Sequence, residues 1–168
     1  YTEGRPAGAE QLPPETRDAI ERLINSGEFK PEVGTVLPLH FPAGLKSRLL
    51  LLTGLGKRHD HDAGSVFRSC AAATRWLSGQ QRQVVAMAGD PSWDPYVAEC
   101  AVVGSAVGCV GPGLYRQDAS RFEPASICWA NVSTEVVEQG DKIAQGVNLT
   151  RRLVNEPPSV IDPEAFAN

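Results

Sequence analysis

The sequence contains no apolar run of the ~18 residues that a membrane-spanning helix needs. Its longest tracts, around 49–52 and 101–110, are sized for a core. The charged start, apolar stretch and cleavage site of a secretory leader are missing too. The chain opens on Tyr1 rather than Met, however, which leaves room for residues upstream. There is no basic cluster: 16 Lys and Arg stand against 20 Asp and Glu, for a net charge of −4. That balance argues against a nucleic-acid surface, which neutralises phosphates with grouped cations. No C-x-x-C occurs, and Cys70, Cys100, Cys109 and Cys128 are widely spaced. They read as buried small hydrophobes in a reducing, cytoplasmic setting. No G-x-S-x-G elbow is present and no cysteine has an activating partner close in sequence, so nucleophilic catalysis has no support. The sequons at Asn131 and Asn148 read as chance matches.

What is present fits one ordinary domain: 168 residues, 42% hydrophobic and 21% charged. Residues 1–13 read as an extended lead-in. Pro14 opens a helix with Ile20, Leu23 and Ile24 on one face, and Gly27 stands where a left-handed cap would stop it. Segments 33–40 and 48–53 read as strands of a hairpin, the second apolar enough to be covered on both faces. Asp60 or Asp62 caps a helix whose apolar face is Val66, Phe67, Cys70, Ala73 and Leu77. A strand over 83–88 follows, then a helix from Asp94-Pro95 rich in small residues, then a strand over Ser126–Ala130. Ser133 or Thr134 caps a last helix, with Val136, Ile143, Val147 and Val154 expected on its inner face. Strand and helix therefore alternate from Arg48 onward. The alternation predicts an α/β fold of three layers, α/β/α, around a mixed, largely parallel sheet.

Two loops invite chemistry. Gly54-Leu55-Gly56-Lys57 lies between a strand and a helix, where glycines let backbone N–H groups approach an anion. The dinucleotide fingerprint lacks its third glycine, because His59 stands there, and Asp90 lies beyond the ~20 residues usual for the ribose acid. The triphosphate loop fails at Leu51 and Arg58. A tight structural turn is the favoured reading of Gly54, Gly56 and Lys57. His59-Asp60-His61-Asp62 could suggest a metal. Adjacent residues of one short loop seldom converge on an ion, and the only other histidine is His40, so a helix cap is favoured.

The carboxy-terminal segment is more specific. Arg151-Arg152-Leu153-Val154-Asn155-Glu156-Pro157-Pro158, continuing to Pro163 and Phe166, resembles the linker helix of the leucine aminopeptidase (cytosol aminopeptidase) family. Arginines suit the last turn of a helix, and Pro157 pushes Glu156 out of helical conformation. Asn155, Pro157 and Pro158 thus read as a stiff interdomain hinge. Residues 49–57 and Leu114-Tyr115-Arg116-Gln117-Asp118 resemble further family segments, although Gln117 replaces an aromatic residue.

The resemblance implies a macro-domain-like amino-terminal accessory domain over 1–155, with 156–168 as linker and start of a carboxy-terminal peptidase domain. It further implies a hexameric cytoplasmic enzyme that removes amino-terminal residues from peptides. Two divalent ions, manganese or zinc, would be bound in the peptidase domain. The family's Asn-Thr-Asp-Ala-Glu-Gly-Arg signature is nowhere in the sequence, so no catalytic or metal-binding residue is carried over and the chain alone is expected to be inactive. The alternative expectation is a macro-like binding module for ADP-ribose or another nucleotide; contact with DNA finds no basic cluster to support it.

Overall fold

A computed structural model describes residues 11–57, 62–111 and 121–156. In chain order the elements are α1 (Pro14–Asn25), β1 (Val36–His40), β2 (Leu49–Thr53), α2 (Ala63–Leu77), β3 (Val84–Ala88), α3 (Pro95–Cys109), β4 (Ser126–Ala130) and α4 (Thr134–Asn155).

Local chemistry sets the ends of these helices. Pro14 occupies the first turn of α1, where its missing N–H costs nothing, and Gly27 takes φ +78° beyond the helix end. Asp62 and Ser65 form a reciprocal capping box at α2, with the Ser65 amide donating to Asp62 Oδ1 at 2.6 Å. Asp94 accepts from the Val97 amide at 2.8 Å ahead of Pro95, and Ser133 caps α4 through the Val136 amide.

The strands fall into two pairs. β1 and β2 are antiparallel, from Val36 opposite Thr53 to His40 opposite Leu49. β3 and β4 are parallel, from Val84 beside Ser126 to Ala88 beside Ala130. Pro38 in the middle of β1 has no amide to donate and marks β1 as an edge strand. The class is the mixed α/β expected, with a parallel element. Among the described residues, however, β2 and β3 are not hydrogen-bonded to each other, so no single sheet joins the pairs. Chain order set the succession of elements without fixing which strands are neighbours.

Two clusters form the core. Ile20, Phe29 and Leu52 join α1 to the hairpin, with Leu37, Leu39 and Leu50 around them. Thr16 ties the same helix to the hairpin loop by donating to the Ala43 carbonyl at 2.6 Å. Leu55, Val66, Cys70 and Ala101 form the second cluster, against which Met87, Trp93, Val97 and Trp129 pack. Helices α2 and α3 thereby cover one side of the β3–β4 pair. Their contact is close because α3 is built from small residues. A Cβ on Gly104 would strike the Phe67 backbone, and one on Gly108 would strike Ala71 and Thr74. The glycines that weaken α3 as an isolated helix are thus the residues that let it dock.

Two sequence expectations need correction. The inner face of α4 is not Ile143, Val147 and Val154, which are 41%, 38% and 78% exposed; the buried positions are Gly140 and Ala144. A Cβ on Gly140 would meet Val102 of α3 at 2.8 Å, so close approach has selected small residues for the contact and left the larger apolar ones outside. The cysteines are free, but only Cys70 and Cys109 are buried; Cys100 is half-buried and Cys128 is exposed on β4.

Candidate functional site

Two places carry the residues singled out from the sequence, and a third emerges from the structure. The first is the Gly54–Gly56 turn. Thr35 accepts the Gly54 amide at 2.8 Å and Pro31 accepts the Gly56 amide at 2.9 Å, both through backbone carbonyls. The Gly54 carbonyl in turn accepts from the Gly34 amide at 3.1 Å and from the Ser69 hydroxyl at 2.8 Å. A side chain at Gly54 would run into Glu32 and Thr35, and Gly56 holds φ +81°. These glycines therefore serve a close backbone crossing, with both amides already engaged. At the following helix the amino-terminal amide of Ser65 is held by the Asp62 carboxylate. Those hydrogen bonds, the backbone one first and the Ser65 hydroxyl second, hold the Asp62 carboxyl below its ordinary value. An anion arriving here would meet a carboxylate, with Lys57 as an exposed cation at the end of the turn. His59 and His61 lie outside the described residues, and among those described no three His, Cys, Asp or Glu side chains group as metal ligands.

The second place is the end of α4. Helix α3 has no basic residue in its own last turn, so its terminal carbonyls need donors from elsewhere. Arg151 supplies them: one guanidinium nitrogen donates to the Val107 carbonyl at 2.9 Å and the other to that of Val110 at 3.2 Å. Asn148 steadies the head, accepting from Arg151 at 3.1 Å, and itself reaches the Ala106 carbonyl at 3.4 Å. Arg121 donates to the Gly108 carbonyl at 3.3 Å. The neighbouring Arg152 does something different. Its side chain is 67% exposed and pairs with Glu156 at 3.4 Å, within its own helix. Asn155 donates to the Arg151 carbonyl at 2.7 Å, closing the last turn, and Glu156 leaves the helix at φ −72°, ψ 137°. Pro157 and Pro158 lie outside the described residues. Sequence reading found the arginine pair but could not tell that only Arg151 ties α4 to α3.

The third place is a cleft of about 900 Å³ bordered by β2 and β3. Cys70, Ala73 and Leu77 of α2 line it, with Leu55 and Trp93. The strand ends differ in charge. Arg48 and Arg82 stand before β2 and β3, whereas Asp90 and Asn131 stand beyond β3 and β4. A nucleotide held at the carboxyl ends would want the cations there, and they are at the other end. Gly54, Gly56 and Lys57 do not border this cleft.

These features describe an α/β domain whose last helix is pinned to its neighbour near its carboxyl end. Residues 3–123 match the amino-terminal domain of the cytosol aminopeptidase family, and the chain belongs to that family. It is 32% identical over 157 residues to a probable cytosol aminopeptidase of Rhodopirellula baltica, covering 93% of this chain and 31% of that protein. A probable cytosol aminopeptidase of Acidobacterium capsulatum is 29% identical over 163 residues, covering 88% of this chain and 32% of that protein. The chain thus spans about a third of the length of these curated relatives. Among solved structures, the bottromycin maturation enzyme BotP superposes with a TM-score of 0.70 at 23% identity, over 85% of this chain and 31% of that one. A second BotP structure, in complex with Mn, gives 0.66 at 24% identity. At such identities the likeness concerns the fold. Among the described residues, no helix is long and apolar enough to cross a membrane.

Proposed function

We propose that this chain is the non-catalytic accessory domain of a metal-dependent aminopeptidase, whose peptidase domain follows α4. In this reading the domain runs to Asn155, and the Asn155, Pro157 and Pro158 hinge hands the chain to the catalytic part. The parent enzyme, a cytoplasmic hexamer, releases amino-terminal residues from peptides with two divalent ions, manganese or zinc, held in that other domain. The present domain contributes to assembly and to access to the active sites.

The observation that carries the reading is the Arg151 clamp. A helix tied to α3 four residues before its end, with Pro157 and Pro158 next in the sequence, suits a rigid interdomain connection. Family membership and a length near a third of the relatives' support it. The test is kinetic. The purified chain should show no turnover of leucine p-nitroanilide with added manganese or zinc, while the parent enzyme should turn it over. Metal-dependent hydrolysis by the chain alone would overturn the assignment.

A further inference from the structure

Phe41 combines two features that the fold does not need. Its backbone sits at φ +51°, in the left-handed region that a bulky side chain enters only at a cost, and the residue is 76% exposed. The hairpin explains the backbone. Phe41 stands just beyond β1, where its amide donates to the Arg48 carbonyl at 2.8 Å across the loop. Glycine or asparagine would make such a turn more readily, and Asn131, at φ +60°, is an instance. Nothing in the turn asks for a phenyl ring. An exposed aromatic side chain on a strained residue points to a contact made outside the domain.

Charge shows what kind of contact this is. His40, Lys46 and Arg48 are exposed on the same loop, and the sequence holds no acid between Glu32 and Asp60. The acids lie next door, on α1. Thr16 donates to the Ala43 carbonyl at 2.6 Å, so the start of the helix is held against the loop. Glu15 comes with it: a Cβ on Gly44 would lie 3.9 Å from its carboxylate. From there Glu15, Asp18 and Glu21 run along the solvent face of α1 and line a shallow groove of about 480 Å³ with Arg22 and Asn25. One end of the domain therefore carries a basic loop with an aromatic tip beside an acidic helix face.

We infer that this end of the domain pairs with the same end of a second copy. A two-fold axis passing between loop and helix sets Lys46 and Arg48 of each copy against Glu15 and Asp18 of the other. The same rotation lays each Phe41 ring on the other copy's α1 groove, where Arg22 offers a guanidinium face that stacks on aromatics. A second copy is favoured over a foreign acidic protein because both halves of the charge match are present and adjacent, and a foreign acidic surface would leave the α1 carboxylates opposed to its own. The inference goes beyond the function proposed above, since it concerns this domain whatever follows α4.

Sedimentation equilibrium of the 168-residue chain tests this. A reversible monomer–dimer equilibrium is expected, weakening roughly 10-fold between about 0.05 and 0.5 M salt because the paired charges are exposed to screening. Phe41→Asn should weaken dimerisation roughly 10-fold while raising the melting temperature by about 2–4 °C, because asparagine accepts the left-handed backbone. A ring that served only the hairpin would do the reverse, lowering the melting temperature and leaving association alone. Lys46→Glu and Glu15→Lys should each be monomeric by themselves yet form a heterodimer when mixed, since the two-fold then meets opposite charges in both halves. A chain that stays monomeric in low salt would overturn the inference. So would single variants that remain apart on mixing, or a Phe41→Asn chain that dimerises as before.

Discussion

Replacing Arg151 by Met keeps most of the aliphatic stem and removes the guanidinium, leaving the Val107 and Val110 carbonyls without their donor. Hydrogen bonds to charged groups contribute ~1.5–3 kcal/mol each when well shielded. Arg151 is half-buried, and water can reach part of what it leaves, so a total of about 2–3 kcal/mol is expected. For a domain of this size that corresponds to a melting temperature lower by about 4–12 °C. Arg152→Met is the internal control, since an exposed ion pair within one helix contributes ~0–1 kcal/mol. Arg151→Lys should fall between, because an ammonium cannot fork across two carbonyls. Urea unfolding should show a lower midpoint for Arg151→Met with an unchanged slope, the mark of altered stability rather than altered compactness. If Arg151→Met and Arg152→Met lose the same amount, the clamp does not hold α4 and the reading of the linker fails.

Glycine substitutions in helices should split by environment. Gly104→Ala should destabilise by about 1–3 kcal/mol through overpacking against the Phe67 backbone, whereas Gly146→Ala, with nothing within 4 Å, should stabilise by ~0.5–1 kcal/mol; thermal melts of both decide it. Acid should weaken the chain through Asp62. Its carboxyl is held below 3.8 in the folded state, so its contribution is complete above that value and lost as pH falls through the lowered one. Asn caps without titrating, so urea midpoints measured from pH 6 to 3 should fall less steeply for Asp62→Asn; equal slopes would refute this.

Much of this fold was readable from the residues because the signals were local. Pro14, Gly27, Asp62, Asp94 and Ser133 each act within a few positions of themselves, and the structure places helix ends at each of them. What failed depended on partners distant in sequence. Ile143, Val147 and Val154 make a regular apolar stripe, but the depth of the α3–α4 contact admits only Gly140 and Ala144. Periodicity records where apolar residues recur and says nothing of how near the neighbouring backbone comes. The separation of β2 from β3 was hidden for a related reason: chain order names the next strand, while hydrogen bonding decides the adjacent one. Even so, Pro38 already announced that β1 ends its sheet. At the Gly54 turn the glycines were visible, but the carbonyls that take their amides, on Thr35 and Pro31, were not.

The Arg151 clamp also has a practical side for protein engineering. Helix α4 is 22 residues long and docks on α3 at Gly140, Ala144, Asn148 and Arg151, leaving only four helical residues beyond the last tie. A partner domain spliced on directly after Asn155 would inherit an orientation already fixed by the host, with no flexible tether to average it away. Shortening or lengthening the junction by one residue would swing such a partner by ~100° about the helix axis, since a turn takes ~3.6 residues. Fusions at this point are therefore indexed like the teeth of a gear, and their geometry can be stepped by choosing the residue at which the graft begins.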